Sequence, residues 1–155
     1  MGYNQHPYDI TMRYHRTVHG TDPAAGASYQ FAFPTRRVVM LQAFSFLLTT
    51  DANVANRYPN LLFFTGANLP FRAYTDRQLP ASQTMRYTYG FNYGTSFIST
   101  AVPNKWNVPI PGECVMGSDA TIRIEVDNVQ VGDQISEIYF SYVSWFDTPS
   151  IAIMP

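Results

Sequence analysis

Apolar and polar residues alternate with a period of two along much of the chain. The clearest run lies between positions 83 and 93, where every second residue is large and apolar: Met85, Tyr87, Tyr89, Phe91 and Tyr93. Positions 120–127 repeat the pattern with smaller aliphatic side chains. Because successive side chains of a strand point to opposite faces of a sheet, this alternation predicts strands with one buried face.

Short apolar runs separated by turn residues continue the pattern after position 28, and almost none of them has the spacing of an amphipathic helix. About nine strands with one apolar face need either two packed sheets or a closed barrel, so the chain is predicted to be all-β. The predicted strands cover residues 28–33, 38–48, 61–64, 71–74, 83–93, 96–102, 108–110, 120–127 and 135–146.

The amino-terminal part differs from the rest, because residues 1–27 are polar and contain prolines and several glycines. They are interpreted as an extended arm and linker, and residues 28–155 as the β-domain. Residues 11–18 alternate like a strand, yet no hairpin partner is near in sequence. Such a strand can add to a sheet of another chain, with Met12, Tyr14 and Val18 on its buried side.

Composition narrows the function classes. Charged residues make up 14% of the 155 positions, against about 25% in a typical domain, while aromatic residues reach 15% with 11 tyrosines. The net charge is −1, and nine of the ten basic residues are arginine. Tyrosine and arginine suit surfaces that contact proteins or sugars. Nothing in the charge distribution predicts nucleic-acid binding.

The sequence contains no motif that is typical of a catalytic or metal-binding site. The three histidines all lie in the arm, and His15 and His19 would be about 13 Å apart on a strand, too far for a metal pair. Cys114 has no histidine after it to act as a base, and no serine elbow or phosphate loop occurs. Glu125 and Asp127 share a polar strand face, which a solvated surface explains. We expect no catalytic residue, metal or cofactor.

The cellular setting follows from similar observations. One cysteine excludes an intrachain disulfide and favours synthesis in a reducing cytoplasm. The first ten residues have no basic flank followed by an apolar stretch, so no signal peptide is expected. No apolar run is long enough for a transmembrane helix, so no membrane partner is expected.

The second half of the chain carries Trp106 before the string VPIPGE, then the strand at 120–127, the string GDQI and a closing VSWF. In this order it resembles the small jelly-roll cement or decoration proteins, minor capsid proteins of tailed bacteriophages, over roughly residues 38–146. The resemblance implies a two-sheet antiparallel sandwich of jelly-roll type, no catalysis, and the clamping of neighbouring capsid subunits, often as a dimer or trimer. The family has no fixed functional residues to transfer.

The leading hypothesis is therefore a non-enzymatic virion protein, made in the host cytoplasm, that binds the major capsid protein on the capsid surface. The predicted assembly contacts are Met12, Tyr14, Arg16, Val18, Arg36 and Arg37. The alternative is a carbohydrate-binding sandwich in which Tyr74 and Trp106, both expected on loops, stack on sugar rings. An enzyme using dispersed carboxylates such as Glu125 is a third hypothesis, which the absence of motifs disfavours.

Overall fold

The computed structural model describes residues 13–66, 68–90, 97–98, 104–110 and 114–146. Within these ranges the chain forms eleven β-strands and no helix. The prediction of an all-β sandwich is confirmed. The strands are β1 (Tyr14–His19), β2 (Tyr29–Ala32), β3 (Arg37–Thr49), β4 (Tyr58–Thr65), β5 (Asn68–Tyr74), β6 (Thr84–Gly90), β7 (Phe97–Ile98), β8 (Lys105–Pro109), β9 (Val115–Met116), β10 (Ala120–Asp127) and β11 (Gln134–Phe146).

The described strands form two packed sheets. The first has the order β1-β11-β3-β6-β8-β7, with β9 also pairing with β3, and the second has the order β2-β10-β4-β5. The chain crosses between the sheets repeatedly, so most neighbours in a sheet are distant in sequence. Pairing is antiparallel except between β6 and β8, which run parallel. This one pair departs from the antiparallel sandwich that was predicted. Residues 91–104 separate the two strands in sequence, which is enough for the crossover that parallel neighbours need.

Strand β10 shows why these residues form a sandwich. Its alternate residues Ala120, Ile122, Ile124 and Val126 are buried, while the residues between them are half-buried. Pairing with β2 and β4 places Ile122 opposite Phe31 on one side and Phe63 on the other. The apolar face of the second sheet is thereby continuous across three strands.

The core between the sheets is largely aromatic. Phe46 of β3 stacks on Tyr87 and Tyr89 of β6 with ring centroids 5.6 and 6.1 Å apart, and the Tyr89 hydroxyl donates to the Pro59 carbonyl of the second sheet at 3.1 Å. The prediction that Met85, Tyr87 and Tyr89 form a core wall is confirmed. The predicted Phe91 and Tyr93 lie outside the described residues.

The opposite face of β6 was expected to be solvated, which is wrong for its second half. Thr88 and Gly90 are buried on that face, and the Thr88 hydroxyl lies 3.4 Å from the Ser45 hydroxyl of β3. Strand β6 is an interior strand between β3 and β8, so neighbouring strands flank it on both sides.

The predicted lone strand of the arm has a partner in its own chain. β1 pairs antiparallel with β11, with Tyr14 opposite Ser144 and His19 opposite Tyr139. The linker after it is also attached, because Gly20 N–H donates to the Ile138 carbonyl at 2.8 Å. The strand has no hairpin partner near in sequence, as predicted, but its partner β11 belongs to the same chain and not to another one. Proximity in sequence does not decide which strand edges meet in space.

A buried ion-pair network, here called the Arg57 network, joins two connections at one end of the sandwich. Arg57 is fully buried and binds Asp133 through Nε and Nη2, both at 2.9 Å, and Asp51 through Nη2 at 2.5 Å. Its Nη1 donates to the carbonyls of Asn53 and Ala55, both at 2.8 Å. All five guanidinium N–H groups are used, so the buried charge is fully compensated.

Candidate contact surface

An arginine lies between two aromatic rings where β1, β11 and β3 meet. The Arg37 guanidinium carbon is 5.1 Å from the centroid of the Tyr14 ring and 4.3 Å from that of Phe146. Sheet register explains the grouping, because Arg37 is opposite Phe146 in the β3–β11 pair and Tyr14 is on the adjacent strand β1. We call Tyr14, Arg37 and Phe146 the edge cluster.

The edge cluster is partly exposed to solvent, and its arginine has no ion pair within the described residues. Phe146 is 58% exposed and Tyr14 38% exposed. No ion pair within the described residues involves Arg37, and its buried Nη1 has no hydrogen-bond partner there. Cation–π contacts of this kind contribute about 0.5–1 kcal/mol at exposed sites and orient the rings and the guanidinium without using its N–H groups.

The reverse face of the same sheet edge has a similar character. His19 of β1 stacks on Tyr139 of β11 with ring centroids 4.5 Å apart and planes 8° from parallel. Arg13 lies 5.7 Å from the centroid of the Trp145 ring. Since β1 is flanked by β11 on one side only within the described residues, both faces meet at an open strand edge.

The structure brings together two of the predicted assembly contacts, Tyr14 and Arg37. Arg16 is exposed on β1, and Arg36 is exposed just before β3 with a φ of 57°. Val18 is half-buried against the core of its own chain and not, as predicted, against another chain, while Tyr14 on the same strand face is 38% exposed. Met12 lies outside the described residues.

Phe146 was not among the predicted contact residues, because the sequence analysis treated it only as the last residue of the predicted strand at 135–146. The signal available was its place at the predicted end of that strand, where a face that is buried in the middle can run past the opposing sheet. Register against Arg37 then decides its neighbours, and register is not readable from this sequence alone.

The outer face of the second sheet also pairs arginines with rings, and one of these arginines has an ion pair. Arg72 Nη2 binds Glu125 Oε2 at 2.6 Å, and its guanidinium lies 5.2 Å from the centroid of the Tyr74 ring. Arg123 Nη2 donates to Gln30 Oε1 at 2.9 Å. The charge of Arg72 is therefore paired on this face, although its Nε makes no hydrogen bond within the described residues.

The two residues predicted to stack on sugars are not on loops. Tyr74 lies in β5 and is 64% exposed, whereas Trp106 lies in β8 and is only 9% exposed. Arg77 covers the Trp106 ring at 5.2 Å from its centroid. A stacking role therefore does not fit Trp106, because its ring is buried and one face already holds a cation.

The groups that could act in catalysis are the thiol of Cys114 and the carboxylates of Glu125 and Asp127. Burial raises the pKa of the Cys114 thiol to about 11, so at neutral pH it is protonated and a weak nucleophile. Asp127 accepts a hydrogen bond from Asn60 Nδ2 at 3.1 Å, while its neighbour on the strand face, Glu125, pairs with Arg72. Within the described ranges, no group of three or more His, Cys, Asp and Glu residues could hold a metal.

Comparisons with known proteins found no match. No protein-family model, no curated protein and no solved structure matches the chain. In the part of the chain that the structure describes, no helix has the length and apolarity needed to cross a membrane.

Proposed function

We propose that the protein is a non-enzymatic virion protein of the cement or decoration type, which binds a capsid shell and bridges neighbouring capsid subunits. The observation that carries the proposal is the edge cluster, where an arginine without a described carboxylate partner lies between two partly exposed rings at an open sheet edge. Aromatic residues and arginine dominate the binding energy of protein interfaces.

The strand order supports a jelly-roll type for the sandwich. Eight of the strands give β1-β11-β3-β6 in one sheet and β2-β10-β4-β5 in the other. Two four-stranded sheets with neighbours drawn from both ends of the chain are expected when two Greek keys wind into a double sheet. Viral capsid domains are among the proteins built this way, and lectin domains are others.

The mode of contact follows from the position of β1. This strand is paired within its own chain, so its outer edge, rather than a detached arm, is the site for strand addition by a partner. The edge cluster lies beside that edge. A partner strand added to β1 would bring its own side chains next to Tyr14, and a carboxylate or carbonyl on the partner could accept from Arg37.

The proposal is tested on virions of the virus that encodes the chain. Quantitative mass spectrometry should find the chain in a fixed ratio to the major capsid protein, and shells stripped of it should rebind added full-length chain. Phe146→Ser and Arg37→Met should weaken rebinding. Tyr74→Ala, which removes an exposed ring from the other sheet, is the matched control. Virions lacking the chain, or equal rebinding by all variants, would overturn the proposal.

A further inference from the structure

The sheet edge at β1 has an excess of positive charge. The described residues that build it, 13–19, 36–41 and 139–146, contain four arginines and no carboxylate, although the net charge of the whole chain is −1. None of the four has an ion pair within the described residues. The closest described carboxylate along β11 is Glu137, which is bound to Arg86. The four arginines are Arg13, Arg16, Arg36 and Arg37.

Strand β1 presents this charge beside an open sheet edge. Residues 14–17 are exposed, and Val18 is half-buried. In the part of the chain that the structure describes, β11 is the one strand that pairs with β1, so the sheet ends at the other side of β1. An extended chain can continue a sheet at such an edge through its backbone hydrogen bonds. The edge therefore favours a strand as its partner, and the arginines favour a strand of negative charge.

The two arginines of this strand determine where the negative charges of a partner should lie. Arg16 lies on the sheet face that also carries Val18, which packs against the core. Arg13 immediately precedes β1 and lies on the opposite face, where it contacts the Trp145 ring. An added strand therefore meets them with side chains three positions apart, one on each face. Opposite side chains of antiparallel strands have Cβ atoms about 4.5–5.5 Å apart, which suits an arginine and a carboxylate.

We propose that the β1 edge binds an extended acidic segment of a partner protein, which adds to the first sheet as an antiparallel strand. Two of its carboxylates lie opposite Arg13 and Arg16, and apolar side chains lie opposite Tyr14 and Val18. Read along the partner strand, the order is apolar, any residue, acidic, any residue, apolar, acidic. The inference deepens the proposed function and rests on its use of the β1 edge as the contact site.

Other occupants fit this edge less well. Two copies of the β1 edge would bring arginines of both copies together, and like charges on neighbouring strands destabilise their pairing. A nucleic acid would be attracted by the arginines, but it has no peptide backbone with which to continue the sheet. An acidic strand matches both the charge and the open edge.

The test is an NMR titration of the full chain with the acetylated and amidated peptide GVTETVEG. The backbone signals of residues 14–19 should shift. Binding should weaken between 0.1 and 1 M salt, because the Debye length falls from about 10 Å to about 3 Å. The neutral peptide GVTQTVQG should bind roughly tenfold more weakly. Equal binding of the two peptides, or shifts confined to the second sheet, would overturn the inference.

A charge exchange tests the predicted pairing. Arg16→Glu should lose binding to GVTETVEG, and the peptide GVTKTVEG, whose lysine lies opposite position 16, should restore it. Arg123→Glu makes the same change of charge on the second sheet, so it is the matched control and should bind GVTETVEG as the unchanged chain does. Equal losses in Arg16→Glu and Arg123→Glu, or no restoration by the lysine peptide, would contradict the pairing.

The strand geometry and the other occupants are tested with further probes. Alternate N–H groups of an added strand face β1, so of two peptides methylated on alternate backbone nitrogens one should lose binding and the other should keep it. Equal binding by both would refute strand addition. Tighter binding of oligothymidylate than of the peptide would identify a nucleic-acid site and overturn the inference. Self-association of the chain that competes with the peptide would identify a second copy as the occupant and overturn it too.

Failure of this inference can be told from failure of the proposed function. Peptide binding by a chain that virions lack would refute the capsid role and support the acidic-strand site. Rebinding of the chain to stripped shells, without binding of the peptide, would refute the acidic partner and leave the capsid role in place.

Discussion

Strand β3 begins and ends near arginines in opposite environments. At its start, Arg37 touches two partly exposed rings and has no ion pair among the described residues. Beyond its end, Arg57 is fully buried and uses all five of its N–H groups within the chain. A guanidinium whose donors are all occupied stabilises the fold and has nothing to offer a partner. One held only by ring faces keeps its hydrogen-bonding edge for a partner.

Replacing Arg57 and Arg37 in turn tests this difference most directly. Arg57→Met should lower the free energy of unfolding by about 3–5 kcal/mol, because it leaves the buried Asp133 carboxylate beside Asp51 without a cation. Arg37→Met should lower the free energy of unfolding by less than about 1 kcal/mol, because the Arg37 side chain is half-buried and makes no ion pair within the described residues. Urea denaturation measures both. Similar losses in the two variants would contradict the comparison.

The edge cluster is expected to contribute to association, whereas the Arg57 network is expected to contribute to the stability of the fold. If the chain forms a dimer or trimer through its open edge, Phe146→Ser should weaken self-association roughly thirtyfold, a change of about 2 kcal/mol typical of an interface hot spot. Sedimentation equilibrium on the full chain measures this. A chain that stays monomeric at every concentration would contradict the homo-oligomer, and an unchanged association constant would contradict the role of Phe146.

The control for that measurement is stability. Phe146 is more than half exposed at the end of β11, so Phe146→Ser should unfold at nearly the same urea concentration as the unchanged chain. A large loss of stability would mean that the ring is part of the fold and not of a contact.

The Arg57 network also predicts how stability depends on pH. Burial by itself would raise the pKa of Asp133, but hydrogen bonds from Arg57 and from the N–H groups of Gln130 and Asp51 together lower it below the ordinary value. The unfolded chain then binds the proton first as the pH falls, from about pH 4 downward. Stability is complete above that pH and decreases below it, with a slope of up to about 1.4 kcal/mol per pH unit from this group.

Urea denaturation at several acidic pH values checks this dependence. Asp133→Asn removes the titrating group, so its acid slope should be shallower than that of the unchanged chain even though the variant is less stable throughout. Asp22→Asn, at an exposed position of the linker, is the control and should keep the original slope. Equal slopes in the unchanged chain and in Asp133→Asn would contradict the role of Asp133.

Strand positions could be predicted from the sequence where alternation is complete. The predicted strand at 120–127 coincides with β10, because four aliphatic residues at every second position fit only a sheet with one buried face. The two-residue strand β9 was not predicted, since two residues have no period to detect.

The contacts between individual side chains could not be predicted from the sequence in the same way. Arg57 lies in a polar turn segment, and its main partner Asp133 is 76 positions away, so nothing near either residue indicates a buried pair. The same holds for Tyr14 and Arg37, which meet only because β11 brings β1 and β3 to its two edges. The contact of Arg77 with the Trp106 ring likewise arises from tertiary structure alone.

The smallest expected effect concerns the outer face of the second sheet, where the ion pair of Arg72 with Glu125 is partly exposed to solvent. Glu125→Gln removes the ion pair with Arg72, and because both side chains are more than a quarter exposed, solvent screens it. We expect a loss of about 0.2–1 kcal/mol in the free energy of unfolding. A double-mutant cycle with Arg72→Met isolates the pair from the ring contact that Arg72 makes with Tyr74. Self-association should not change. If Glu125→Gln reduced it, the outer face of the second sheet would be a binding surface, and an arginine with a carboxylate of its own could no longer be taken as unavailable to a partner.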